Sequence, residues 1–136
     1  MHNTVLVPID MAHLKEGKSI IDIALHNAGE NSQVILLNVI EDIPKWAAAQ
    51  LPKGTIERSK QHAHKELNSI AQSYSVPIEI DIRLGHTYKV ILDVADEKEV
   101  DLIVISSHRP GFQDYYLGST AAKVVRHANC SVHVVR

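Results

Sequence analysis

The chain reads as a doubly wound α/β fold, a five-stranded parallel sheet with helices on both faces. Two observations carry that reading. Short apolar runs alternate with segments whose apolar residues recur every three or four positions, the signatures of buried strands and amphipathic helices. The strand-like runs are also apolar at consecutive positions, so both faces of the sheet need cover, which right-handed strand–helix–strand crossovers provide. At 136 residues the chain suits one domain spanning residues 1–136.

The elements follow in order. Residues 4–9, Thr-Val-Leu-Val-Pro-Ile, form the first strand. Leu14, Ile20, Ile21, Ala24, Leu25 and Ala28 mark a helix, with Gly29 as its stop. Residues 34–40, Val-Ile-Leu-Leu-Asn-Val-Ile, form the second strand. Residues 41–54 then break pattern, with Pro44, Pro52 and Gly54 around Trp46-Ala47-Ala48-Ala49; irregular segments of that length often serve as lids or partner surfaces. A long helix spans about residues 55–73, with Ile56, Ala63, Leu67, Ile70 and Ala71 on one face. Residues 77–83 alternate apolar and polar, as expected near a sheet edge. Gly85 turns the chain into a helix marked by Val90, Ile91, Val94 and Ala95. Residues 101–105 are the fourth strand, 121–128 the last helix and 131–135 the fifth strand.

Composition excludes several classes. The hydrophobic fraction of 45% argues against disorder, and the net charge of −2, with no basic cluster, against a nucleic-acid partner. The apolar runs are too short to span a membrane. The first strand starts at once, with no basic segment or cleavage site before it, so a soluble, cytoplasmic protein is expected. The lone Cys130 precludes an internal disulfide framework and reads as a small apolar filler. The nine histidines show no metal-ligand pattern; His62 and His64 lie two apart in a helix and point to different sides. Trp46 is open to three readings: core anchor, lid or partner contact.

The most informative stretch is Ser106-Ser107-His108-Arg109-Pro110-Gly111, followed by Leu117-Gly118-Ser119-Thr120. A strand, a turn-rich loop and Gly-Ser at a helix start make the geometry of an anion site, because helix amino ends present unpaired N–H groups and partial positive charge. Phosphate is the anion expected there. Ligands of such sheets bind beyond the carboxyl ends of the strands, where the strand order reverses; the first strand ends there at Asp10. Asp10 and Ser119 are also good helix caps, His108 is also readable as an ordinary loop histidine, and Arg109 as a solvated charge.

These residues resemble the universal stress protein family over essentially the whole chain. The resemblance rests on residues 5–10, Leu37-Asn38-Val39, Gly85, residues 101–108, and above all residues 117–128 and 131–136. The ATP-binding branch of that family carries Gly-x2-Gly-x9-Gly-Ser/Thr. Here Ser106 and Arg109 replace the first two glycines, the interval to Gly118 is one residue short, and Gly118-Ser119 is intact. The chain looks like a subgroup with Ser-His-Arg-Pro at this place, where Arg109 offers a guanidinium in place of the glycine turn's amides.

The resemblance implies strand order 3-2-1-4-5 and an adenine-nucleotide site, with ATP the expected ligand and Mg²⁺ held only through its phosphates. Pro8 and Ile9 would line the adenine slot, Asp10 would meet the ribose, and Val39 would offer backbone groups to the adenine edge. Gly118, Ser119 and Thr120 would cradle phosphates, with Ser106, Ser107, His108 and Arg109 closing the other side. No P-loop and no hydrolytic constellation is legible, so at most slow ATP hydrolysis is expected; an adenylate-processing enzyme would rest on fold analogy alone. In that strand order the fifth strand lies at an edge, nearly uncharged before Arg136, and bare edges invite pairing. A homodimer through Val132, Val134 and Arg136 is therefore expected, as is typical of the family. The expected function is a nucleotide-binding regulatory stress protein, with the 41–54 segment available to a protein partner. The alternative is a dimeric interaction protein whose pocket is vestigial.

Overall fold

A computed structural model describes residues 2–107 and 117–136. β1 (His2–Pro8) leads through a 3-10 turn (Met11–His13) into α1 (Leu14–Asn27) and β2 (Ala28–Glu41). A short α2 (Lys45–Ala48) and the long α3 (Thr55–Ala71) precede β3 (Ile78–Gly85). Then come α4 (Thr87–Glu97), β4 (Leu102–Ser106), α5 (Ser119–His127) and β5 (Ser131–Val135). All neighbouring strands pair in parallel in the order β3-β2-β1-β4-β5. The expected doubly wound sheet is observed, with its order reversing between β1 and β4.

Alternation along each strand divides the core into two layers. Val5, Val7, Val34, Leu36, Leu102 and Val104 point to one face, under Ile21 and Ala24 of α1 and Leu67 of α3. Leu6, Ile35, Leu37, Ile103 and Ile105 point to the other, under Ile91 and Val94 of α4 and Ala121 and Val124 of α5. Consecutive apolar positions are thus both buried, as the uninterrupted runs require.

Several boundaries differ from expectation. Gly29 is no helix stop: Ala28 is already extended, its N–H bonded to the Leu25 carbonyl, and the chain passes directly into β2. That early part of β2 is polar and gives no apolar pattern. It pairs His2 with Ala28 and then, after a register shift, Thr4 with Gln33, and Asn31 takes a left-handed φ of 65° within it. Asparagine tolerates this conformation better than most residues. The irregular 41–54 segment holds the four-residue α2 between its prolines.

β3 is an edge strand, half-buried along most of its length. Its outer residues carry a charge network. Lys98 Nζ lies 2.6 Å from Glu79, and Arg83 lies 3.0 Å from Asp81 and 2.6 Å from Glu97. Such an edge resists pairing with another sheet. β5, the other edge, has half-buried Val132 and Val134 with exposed Ser131 and His133. Cys130 packs against the α4–α5 layer, and burial pushes its thiol pKa up. No helix among the described residues is long and apolar enough to cross a membrane.

Candidate functional site

A cavity of about 600 Å³ opens at the carboxyl end of the sheet, where the strand order reverses. From β1 and the residues after it come Pro8, Ile9 and Asp10; from β2, Asn38, Val39 and Glu41. Ser106 and Ser107 enter from the end of β4, and Gly118, Ser119 and Thr120 from the start of α5. The structure therefore brings together every described residue expected at the site. His108 and Arg109 lie outside the described residues.

The β1 end is built to hold Asp10 in place. The Ile9 N–H donates to the Leu37 carbonyl at 2.8 Å, extending the β1–β2 pairing past Pro8. The Ile9 carbonyl accepts from Asn38 Nδ2 at 2.9 Å, a side chain only 5% exposed. Asp10 Oδ1 then accepts the Ala12 N–H at 2.9 Å and caps the 3-10 turn, while Oδ2 stands 4.0 Å from His13 Nε2. Its carboxylate is largely exposed, so capping and cavity lining coexist.

Across the switch point, the buried Ser107 links two elements through its backbone. Its N–H donates to the Val135 carbonyl at 2.8 Å, and its carbonyl accepts the Gly118 N–H. The cap of α5 is Gly118, with no side-chain capping bond. The reading of Ser119 as a cap is corrected: it is the first helical residue, because Gly118 takes the extended cap conformation. The first amides of a helix cannot bond within it. Here residues 118–121 line the cavity.

Asn38, Glu41, Thr87 and Arg136 are among the lining residues that were not expected of the ligand site. Asn38 is visible in the sequence as the one polar interruption of a seven-residue apolar run. Glu41 accepts from both the N–H and the hydroxyl of Thr87, and His86 Nδ1 lies 3.6 Å away. These donors, led by the Thr87 hydroxyl, hold the Glu41 carboxyl below the usual glutamate range. The bond joins the end of β2 to the first turn of α4.

A smaller recess of about 280 Å³ shares Asp10, Asn38 and Val39 with the main cavity and adds Ser59 and His62 of α3. Among the described residues no group of three or more His, Cys, Asp or Glu side chains is arranged to hold a metal ion. Trp46 is 73% exposed, which overturns its reading as a core anchor.

The sequence profile of the universal stress protein family matches residues 1–136, and the chain belongs to that family. It is 28% identical to universal stress protein G of Salmonella typhimurium over a 145-residue alignment covering all of both chains. Solved structures share the fold. The hypothetical protein MJ0577 superposes with a TM-score of 0.79 at 23% identity, over 99% of this chain and 96% of that one. A universal stress protein in complex with cAMP gives a TM-score of 0.68 at 22% identity, over 99% and 97%. The universal stress protein of Archaeoglobus fulgidus in complex with dAMP gives a TM-score of 0.68 at 18% identity, over 98% of each chain.

Proposed function

We propose that this chain is an adenine-nucleotide-binding universal stress protein of the cytoplasm that acts as a homodimer. The observation that carries this reading is the cavity itself. It is ligand-sized, within the range of small-molecule sites. It sits at the topological switch point and joins the Asp10 carboxylate to the amino end of α5. That pairing suits a nucleotide: a carboxylate accepts from ribose hydroxyls, and helix amides receive phosphate. Pro8, Ile9 and Val39 supply the apolar wall for a base, Gly118, Ser119 and Thr120 the phosphate cradle, and Ser106 and Ser107 the side between. His108 and Arg109, expected to close the other side, lie outside the described residues. Two structurally similar proteins of the family are complexes with adenine nucleotides, cAMP and dAMP, which supports the same ligand class here. ATP, with Mg²⁺ held through its phosphates, is the expected cellular ligand.

Ligand occupancy would act by differential affinity for two states of the 41–54 segment and of the dimer surface along β5. Exposed Trp46, Ile43 and Leu51 in that segment suit a protein partner. The test is chemical. The protein is purified under native conditions and denatured, and the released small molecules are identified by mass spectrometry beside a Gly118→Asp variant, whose carboxylate would repel phosphate. Stoichiometric adenine nucleotide from the parent alone supports the reading. If both preparations are empty and Mg·ATP gives no thermal shift, the vestigial-pocket alternative takes its place.

A further inference from the structure

We propose that Arg136 is the side chain that recognises the ligand's phosphate, an inference that rests on the nucleotide reading of the cavity. The backbone sets its position. β5 pairs with β4 in the register Ser106↔Val135. The Ser107 N–H fixes the Val135 carbonyl at 2.8 Å, and the Ser107 carbonyl holds the Gly118 N–H. One buried serine thus ties the end of β5 to the start of α5, and Arg136, next after Val135, stands at the same end of the sheet. Both Val135 and Arg136 line the 600 Å³ cavity.

Charge around the cavity gives Arg136 its weight. Among the described lining residues it is the only lysine or arginine, whereas Asp10, Glu16 and Glu41 are carboxylates. Residues 108–116 lie outside the described residues; in sequence they carry one arginine, Arg109, and one aspartate, Asp114, whose formal charges cancel. A phosphate entering this cavity meets three carboxylates, opposed by the Arg136 guanidinium and the partial positive charge of α5. A guanidinium offers a planar fork that matches two phosphate oxygens at once, which an ammonium cannot do. Arg136 therefore discriminates a phosphorylated adenosine from adenosine itself.

The experiment titrates adenosine and AMP, in metal-free buffer, into the full-length parent, Arg136→Gln and Arg136→Lys. Thermal melting and gel filtration run alongside to show that fold and oligomeric state persist. The proposal expects Arg136→Gln to weaken AMP roughly tenfold or more while adenosine changes by less than about twofold. Arg136→Lys should fall between, keeping the charge but losing the fork. AMP affinity unchanged in Arg136→Gln overturns the proposal, as does an equal loss for AMP and adenosine, which would mark a packing role. A parent that binds AMP no better than adenosine overturns the proposal and leaves the nucleotide reading standing. A parent that binds neither overturns both.

Discussion

Asn38 Nδ2 donates to the carbonyl of Ile9 across 2.9 Å of protein interior, closing the end of β1 onto β2 beside the cavity. Ile9 answers in the other direction through its N–H, bonded to Leu37. Together the two bonds set where the chain leaves the sheet, and so where Asp10 stands. Asn38→Leu removes the donor and leaves a buried carbonyl without it. Urea denaturation should show a loss of about 1–3 kcal/mol, and nucleotide affinity should fall with it. Unchanged stability would mean that the bond contributes nothing net to the fold.

Gly85 ends β3 with a φ of +147°, and a Cβ there would stand 2.6 Å from Val90 Cγ2. Both facts oppose any side chain at this turn. Gly85→Ala is expected to cost about 1–3 kcal/mol, read as a lower urea midpoint. Because Gly85 pairs with Glu41 and leads into Thr87, the cavity rim should loosen as well.

Glu41 predicts a pH dependence. Its folded pKa lies below the ordinary glutamate value, first because the Thr87 hydroxyl donates to its ionised form. A carboxyl depressed in the folded state contributes stability above its unfolded pKa, and loses that contribution as pH falls through the folded value. Glu41→Gln should therefore be less stable than the parent at neutral pH. The gap should close as pH drops below the ordinary value of 4.5. The effect is small because solvent screens this exposed group. Measuring both forms in a His86→Ala background removes the neighbouring imidazole from the comparison. A gap that persists in acid would assign the effect to packing.

The proposed dimer makes a separate prediction. β5 presents half-buried Val132 and Val134 at one edge of the sheet, whereas the other edge, β3, is guarded by a charge network. Val134→Lys should convert a dimer to monomers in analytical ultracentrifugation, with a melting curve to show that the monomer is folded. A folded variant that stays dimeric would remove β5 from the interface.

The strands were legible because burial on both faces leaves a continuous apolar signal. Val34 to Leu37 alternate between the two layers, yet all four are buried. The α1–β2 boundary was not legible, because Glu30, Asn31 and Ser32 are polar and lie in β2 at the register shift between the His2–Ala28 and Thr4–Gln33 pairs. Asp10 and Gly118 were legible as candidates because each lies at a strand or helix end that the periodicity locates, whereas Val39 came from the family resemblance; all three line the cavity. Asn38 showed as a polar break, but its partner, the Ile9 carbonyl, is set by the fold. Arg136 is the sharper case. Strand periodicity put it beside Val132 and Val134 at a sheet edge; that it also lines the cavity follows from the register of β5 on β4, which the fold sets.

The central claim is that the switch-point cavity holds an adenine nucleotide, and backbone amide NMR tests it most directly. With AMP titrated into isotopically labelled protein, the account predicts saturable shifts at Asp10, Val39, Gly118, Ser119 and Arg136, reproduced far more weakly by inorganic phosphate. A spectrum that does not move at these positions, or moves only along residues 42–54, would contradict it.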